Sequence, residues 1–180
     1  MMAESSVIIA GFGGQGLLFA GKVLAYGGLL EERQVSWLPS YGPEMRGGTA
    51  NCNVILSDDP IGSPIVTHPS VLIVMNAPSL DKYESTVIPG GKIFVDSTLI
   101  NRKVEREDVD VFYIPATQMA SDMNAAGLAN MILLGAVLRE TACIKDETLP
   151  DALHHVIPAR KADLFDVNMK AVQAGRDYKE

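Results

Sequence analysis

Apolar positions arrive early and in short runs. Val7–Ala10 is β-branched and apolar and stops at once in glycines, and from Gln15 to about Leu30 small and apolar residues dominate. That order predicts strand, tight turn and helix. A second strand fits Val35–Leu38 and is expected to end at Pro39. Asn51–Leu56 reads as a third, closed by the turn-forming Ser57-Asp58-Asp59-Pro60. Val71–Met75 is apolar at every position, the pattern of a parallel strand covered on both faces. Pro78 or Ser79 can then open a helix toward Tyr83. Past the turn Pro89-Gly90-Gly91, Lys92–Val95 and Val111–Ile114 supply two more strands. The charged stretch Asn101–Asp110 between them reads as a solvated surface segment.

After Pro115 the period changes to that of helices. Thr117–Met123 is short, while Ala129–Glu140 repeats large apolar residues densely enough to be buried. Asp146–Val156 is interrupted by Pro150, and the last stretch sets Phe165, Met169 and Val172 at helical spacing among charged neighbours, an amphipathic helix. No Gly-, Ser- or Pro-rich linker divides the chain and no repeat is visible. The expectation is one α/β domain over residues 1–180, an open, mostly parallel sheet flanked by helices, with a helical region from about residue 143.

Composition narrows the chemistry. With 180 residues and 47% hydrophobic positions the chain can bury one sizeable core. A net charge of -7 repels phosphate backbones and anionic lipid surfaces, so no nucleic acid or membrane partner is expected. Cys52 and Cys143 are the only cysteines, too far apart for a zinc site and too few for an iron–sulfur cluster, and read as reduced thiols packed like small hydrophobes. Met1–Ser6 has no basic stretch ahead of an apolar segment, and the longest near-apolar run, Met131–Leu138, is far shorter than the ~20 residues of a membrane span. A soluble, cytoplasmic protein is expected. His68, His154 and His155 lack metal-ligand spacing, no G-x-S-x-G elbow is present, and neither cysteine has a basic neighbour in sequence. No catalytic and no metal-binding residue is therefore assigned.

Two segments stand out. In Gly11-Phe12-Gly13-Gly14-Gln15-Gly16 the glycines satisfy G-x-G-x-x-G directly between a predicted strand and a predicted helix. Such glycines allow a tight turn, close approach of a ligand to bare backbone, and close helix–sheet packing, which is the opening of a Rossmann-like fold. Helix N-terminal amides would favour a phosphate or another anion there. A nicotinamide or flavin dinucleotide normally also finds an acid at the end of the second strand, and Val35–Tyr41 contains none. A free-standing NAD- or FAD-dependent oxidoreductase is thus the rival to a ligand-phosphate site, and a turn that serves packing alone is the third reading.

The other segment runs from Leu38 to Thr49. Gly42-Pro43 and Gly47-Gly48 shape its backbone while Tyr41, Glu44 and Arg46 offer a hydroxyl, a carboxylate and a planar cation. It follows the second strand, so in a doubly wound sheet it emerges at the same carboxyl edge as the glycine turn. Arg46 can clamp a phosphate or carboxylate through two parallel hydrogen bonds, or pair with Glu44 in a rigid surface loop.

Gly11-Phe12-Gly13-Gly14-Gln15-Gly16 together with Ser40-Tyr41-Gly42-Pro43-Glu44-Met45-Arg46-Gly47-Gly48 resembles the gamma subunit, or gamma domain, of 2-oxoacid:ferredoxin oxidoreductases. The resemblance runs over roughly Val7–Glu140, with Asn76-Ala77-Pro78-Ser79 and the Asn130–Leu138 helix as weaker marks. It implies a multisubunit complex that makes acyl-CoA from a 2-oxo acid with reduction of ferredoxin. Alpha and beta subunits and a ferredoxin or ferredoxin-like subunit would be its partners. Thiamine diphosphate, magnesium and iron–sulfur clusters would sit in those partners, because this chain has no G-D-G followed by paired asparagines and no cysteine set. The gamma module would help bind coenzyme A through Gly11–Gly16, with Tyr41, Glu44, Arg46, Gly47 and Gly48 lining the same pocket or the subunit contact. The isolated chain would be inactive, alone or as a homodimer, unless it is purely a structural interaction subunit. Its motifs lean toward 2-oxoglutarate or branched-chain members over pyruvate.

Overall fold

A computed structural model of the chain describes residues 4–40 and 50–180. One sheet carries the strands β1 (Ser5–Gly11), β2 (Gln34–Ser40), β3 (Ala50–Ser57), β4 (Val71–Val74), β5 (Lys92–Asp96) and β6 (Asp110–Ile114), in the order β2-β3-β1-β4-β5-β6. β1, β4, β5 and β6 pair in parallel, while β3 lies antiparallel to both β1 and β2. The sheet is mostly parallel, as the pattern predicts, with one reversed strand between β1 and β2.

Its helices are α1 (Leu17–Leu30), α2 (Ala77–Tyr83), α3 (Ala116–Asp122), α4 (Ala129–Thr141), α5 (Leu149–Val156) and α6 (Leu164–Asp177). Strand residues alternate between two cores. Val7, Ile9, Ile73 and Phe94 pack against α1 and α3–α6, whereas Ile8, Ala10, Leu72, Val74, Ile93 and Val95 pack with Leu80 of α2 on the other face. β4 is buried at every position, which accounts for its unbroken apolar run.

Three sequence expectations are corrected by context. β2 continues through Pro39 to Ser40, because β2 is an edge strand and a missing ladder donor costs little there. Pro150 does not interrupt a helix but lies in the first turn of α5, where its lack of an N–H is harmless. The charged stretch after Asn101 is tied down: Arg102 pairs with Asp81 and Glu84, both at 2.7 Å, and Arg106 donates to the Val87 carbonyl at 2.5 Å. Val104 and Val109 pack partly onto the second core. At the other end of β3, buried Arg33 donates to the carbonyls of Leu56 at 3.0 Å and Cys143 at 2.9 Å, fastening the α4–α5 connection to the sheet.

Candidate functional site

Everything that positions the glycine turn comes from the carboxyl edge of the sheet. Gly11 ends β1 and is paired across the ladder with Ala50, while Ser40, the last residue of β2, is paired with Asn51. The turn and both flanks of the Tyr41–Thr49 segment therefore share one edge. Tyr41, Glu44, Arg46, Gly47 and Gly48 themselves lie outside the described residues.

Gln15 closes the turn. Its side-chain oxygen accepts from the Phe12 N–H at 2.6 Å, and its amide nitrogen donates to the Met75 carbonyl at 3.0 Å, bridging the ends of β1 and β4. A Cβ on Gly11 would stand 2.3 Å from that oxygen, so only glycine leaves room for the bridge. Gly14 has φ 89° and nothing within 4 Å of where a Cβ would be, an open position in the left-handed region. Gly16, φ 75°, is the N-cap of α1, and its carbonyl accepts from Asn130 Nδ2 at 2.9 Å.

No side chain caps α1, so the N–H groups of Leu17, Leu18 and Phe19, which have no partner within the helix, are available to a ligand. Phe12, Gly13 and Gly14 are exposed. With Leu17, Leu18, Phe19 and Ala50 they line a cavity of about 340 Å³ whose described lining carries no ionisable side chain. Attraction for an anion comes there from backbone amides and the helix dipole.

Asn130 and Met75, which hold the turn, and the apolar lining escaped the residue reading. Asn130 carried a weak signal as a polar residue opening an otherwise apolar helix; Leu17, Leu18 and Phe19 read as core. Asn76 caps α2 by accepting from the Ser79 N–H at 2.8 Å, so the helix opens one residue ahead of Pro78. The larger cavity, about 780 Å³, lies at the opposite sheet edge, near Ser5 and Arg176. Its charges are mutually engaged, Arg176 with Asp146 at 2.6 Å and Arg139 with Glu140 at 2.6 Å.

Other chemistry is not assembled. Cys52 and Cys143 are free and buried, and burial pushes the Cys52 thiol up to about 12 against a smaller opposing pull from Trp37. Burial raises Cys143 as well. His154 stacks on Phe165 with centroids 4.0 Å apart, and His155 on Tyr26 at 5.6 Å. Among the described residues no three His, Cys, Asp or Glu side chains are grouped to hold a metal ion, and no helix is long and apolar enough to cross a membrane.

Comparison with known proteins places this geometry. The ketoisovalerate oxidoreductase subunit VorA of Methanothermobacter marburgensis is 36% identical over 97% of the chain, and the chain spans only 36% of that relative's length. The 2-oxoglutarate synthase subunit KorC of Methanocaldococcus jannaschii is 35% identical over 86% of the chain and 84% of its own length. Among solved structures, the gamma subunit of a keto/oxoacid ferredoxin oxidoreductase from Geobacter sulfurreducens is 28% identical with a TM-score of 0.81, covering 95% of each chain. The 2-oxoglutarate:ferredoxin oxidoreductase of Magnetococcus marinus, solved with 2-oxoglutarate, coenzyme A and succinyl-CoA bound, shares the fold at 22% identity and a TM-score of 0.85, over 98% of this chain and 31% of that one. The family described as pyruvate ferredoxin/flavodoxin oxidoreductase matches residues 6–178, beyond the Val7–Glu140 reach of the motifs and through α6. The chain belongs to the pyruvate ferredoxin/flavodoxin oxidoreductase family.

Proposed function

We propose that the chain is the gamma subunit of a cytoplasmic 2-oxoacid:ferredoxin oxidoreductase complex and that its own task is to hold coenzyme A at the Gly11–Gly16 turn. The complex converts a 2-oxo acid, coenzyme A and oxidised ferredoxin into acyl-CoA, CO2 and reduced ferredoxin. Thiamine diphosphate with magnesium supplies the decarboxylation chemistry and iron–sulfur clusters the electron path, all in alpha, beta and ferredoxin-like partners. The described residues of this chain do not fit those groups, since its cysteines are buried apart and no metal-binding cluster forms. The substrate class is 2-oxoglutarate or a branched-chain oxo acid, a reading supported by the names of the KorC and VorA relatives.

One observation carries the coenzyme A assignment: the exposed Gly13–Gly14 backbone and the uncapped first turn of α1 open together into the 340 Å³ cavity. Leu17, Leu18 and Phe19 would present their N–H groups to a phosphate oxygen while Gln15 and Asn130 keep the turn in shape. Tyr41, Glu44, Arg46, Gly47 and Gly48 are proposed to line the same pocket or the contact with a partner subunit.

The test is kinetic. In the reconstituted complex Gly14→Val fills the open position, and the KM for coenzyme A should rise at least about 10-fold, the loss of about 1.4 kcal/mol of binding. Size-exclusion chromatography checks that the variant assembles. An unchanged KM in an assembled complex removes coenzyme A from this turn. A native chain that co-purifies with no thiamine-bearing subunit removes the gamma-subunit assignment.

A further inference from the structure

The cavity at the turn is not the kind a polyanion fills. Its described lining is apolar, so placing a whole pyrophosphate inside would desolvate charge with no side-chain partner among those residues. Only its backbone rim, at Gly13, Gly14 and the first turn of α1, suits an anionic oxygen. At about 340 Å³ the space is also near the lower end for small-molecule sites, room for one moiety rather than for all of coenzyme A.

Phe12 supplies the second observation. Its residue is 47% exposed at the cavity rim, although its backbone is pinned by the 2.6 Å bond to Gln15. A ring held there with one side open, a residue or two from free helix amides, matches a ligand in which a flat uncharged group is joined to a phosphate. Coenzyme A contains one such group, its adenine. The pantetheine arm is flexible and studded with amides, a poorer match to an apolar wall.

The strand order adds a third. The position beside Gly11 at this edge belongs to the reversed strand β3, which begins with Ala50, and β2 contributes no acid from Gln34 to Ser40. No carboxylate among these residues is available for a ribose diol. In coenzyme A the ribose carries a phosphate, which such a carboxylate would repel.

We infer that Phe12 is the base-stacking residue of the site, with the adenine of coenzyme A against its ring and the adjoining phosphate at the Gly13–Gly14 and α1 amides. The inference rests on the coenzyme A reading above. Base–aromatic stacking is strong enough to be read in an inhibition constant.

The experiment uses the assembled complex and two halves of the ligand as competitive inhibitors against coenzyme A: adenosine 3′,5′-bisphosphate and 4′-phosphopantetheine. Phe12→Ala should raise the KM for coenzyme A and the Ki of the nucleotide half together, on the order of 10-fold. The Ki of 4′-phosphopantetheine and kcat at saturating coenzyme A should hold. Where Phe12→Ala fails to assemble, Phe12→Leu keeps the apolar bulk, removes the ring face and should give the same selective rise. A nucleotide half that does not inhibit the native complex, an unchanged Ki in the variant, or an equal rise for both halves overturns the inference. If Gly14→Val raises the KM for coenzyme A while the Phe12 variant leaves the nucleotide Ki alone, only the base placement falls. If neither variant moves the KM, the coenzyme A reading falls with it.

Discussion

Glycine does opposite work in two regions of this molecule. At the turn after β1, Gly14 has φ 89° and nothing near its missing Cβ, so its smallness leaves backbone bare toward a ligand. At the crossing of α4 and α6, a Cβ on Gly135 would stand 2.0 Å from the Val172 carbonyl oxygen and one on Gly175 1.8 Å from that of Ile132. There smallness lets two helix backbones touch. The difference separates binding from stability: a side chain added at the first place costs a ligand its seat, and at the second it pushes apart a helix pair that covers the sheet.

Gly175→Val should have the largest effect on the fold. The obstacle is main chain, so α6 must move bodily, and the loss should reach about 3 kcal/mol, the upper range for overpacking. Gly14→Val adds only the strain of a β-branched residue in the left-handed region, about 1–2 kcal/mol. Urea melts of both variants decide between the two regions: a smaller loss at Gly175 than at Gly14 breaks the comparison.

The turn stays open because Gln15 braces it. Gln15→Leu keeps the bulk but strips the Phe12 N–H of its acceptor and the Met75 carbonyl of a donor. A cost of about 2 kcal/mol is expected, with faster amide hydrogen exchange at Phe12. Unaltered exchange there would mean that the β1–β4 ends are locked by other contacts, and the brace would lose its role.

Much of this was legible in the residues. Val71–Met75 could only be a strand buried on both faces, and the G-x-G-x-x-G spacing put the turn between β1 and α1 before any coordinate did. What stayed hidden depends on neighbours distant in sequence. Nothing local states that β3 runs backward between β1 and β2, because burial pattern encodes which faces are covered and not which strand lies alongside. Pro39 signals a strand end unless the strand is known to be at an edge, and Pro150 signals a break unless the helix is known to begin there. Gly135 and Gly175 look like helix weaknesses until the two helices are seen to touch through them. At the site the letters of Leu17, Leu18 and Phe19 are those of core, so the apolar character of the cavity and the exposure of Phe12 were not readable, and an anion site was the natural expectation.

A third glycine sharpens the distinction with the smallest effect. Gly21 of α1 faces β3, and a Cβ there would stand 2.2 Å from the Cys52 sulfur and 3.2 Å from the Trp37 indole nitrogen. The obstacle is now a side chain, so it can be removed. With its thiol pushed up to about 12 by burial, Cys52 is a packing group at neutral pH, and replacing it takes away no nucleophile. Gly21→Ala gains helix propensity but overpacks against the sulfur, a net loss of about 1 kcal/mol. Cys52→Ala alone leaves a small void at similar cost. Together the two substitutions roughly conserve volume, and their combined loss should fall short of the sum by about 1 kcal/mol in a double-mutant cycle of denaturant melts. Strict additivity would show that the backbone, not the sulfur, limits the approach of α1 to β3, and Gly21 would then belong with Gly135 and Gly175.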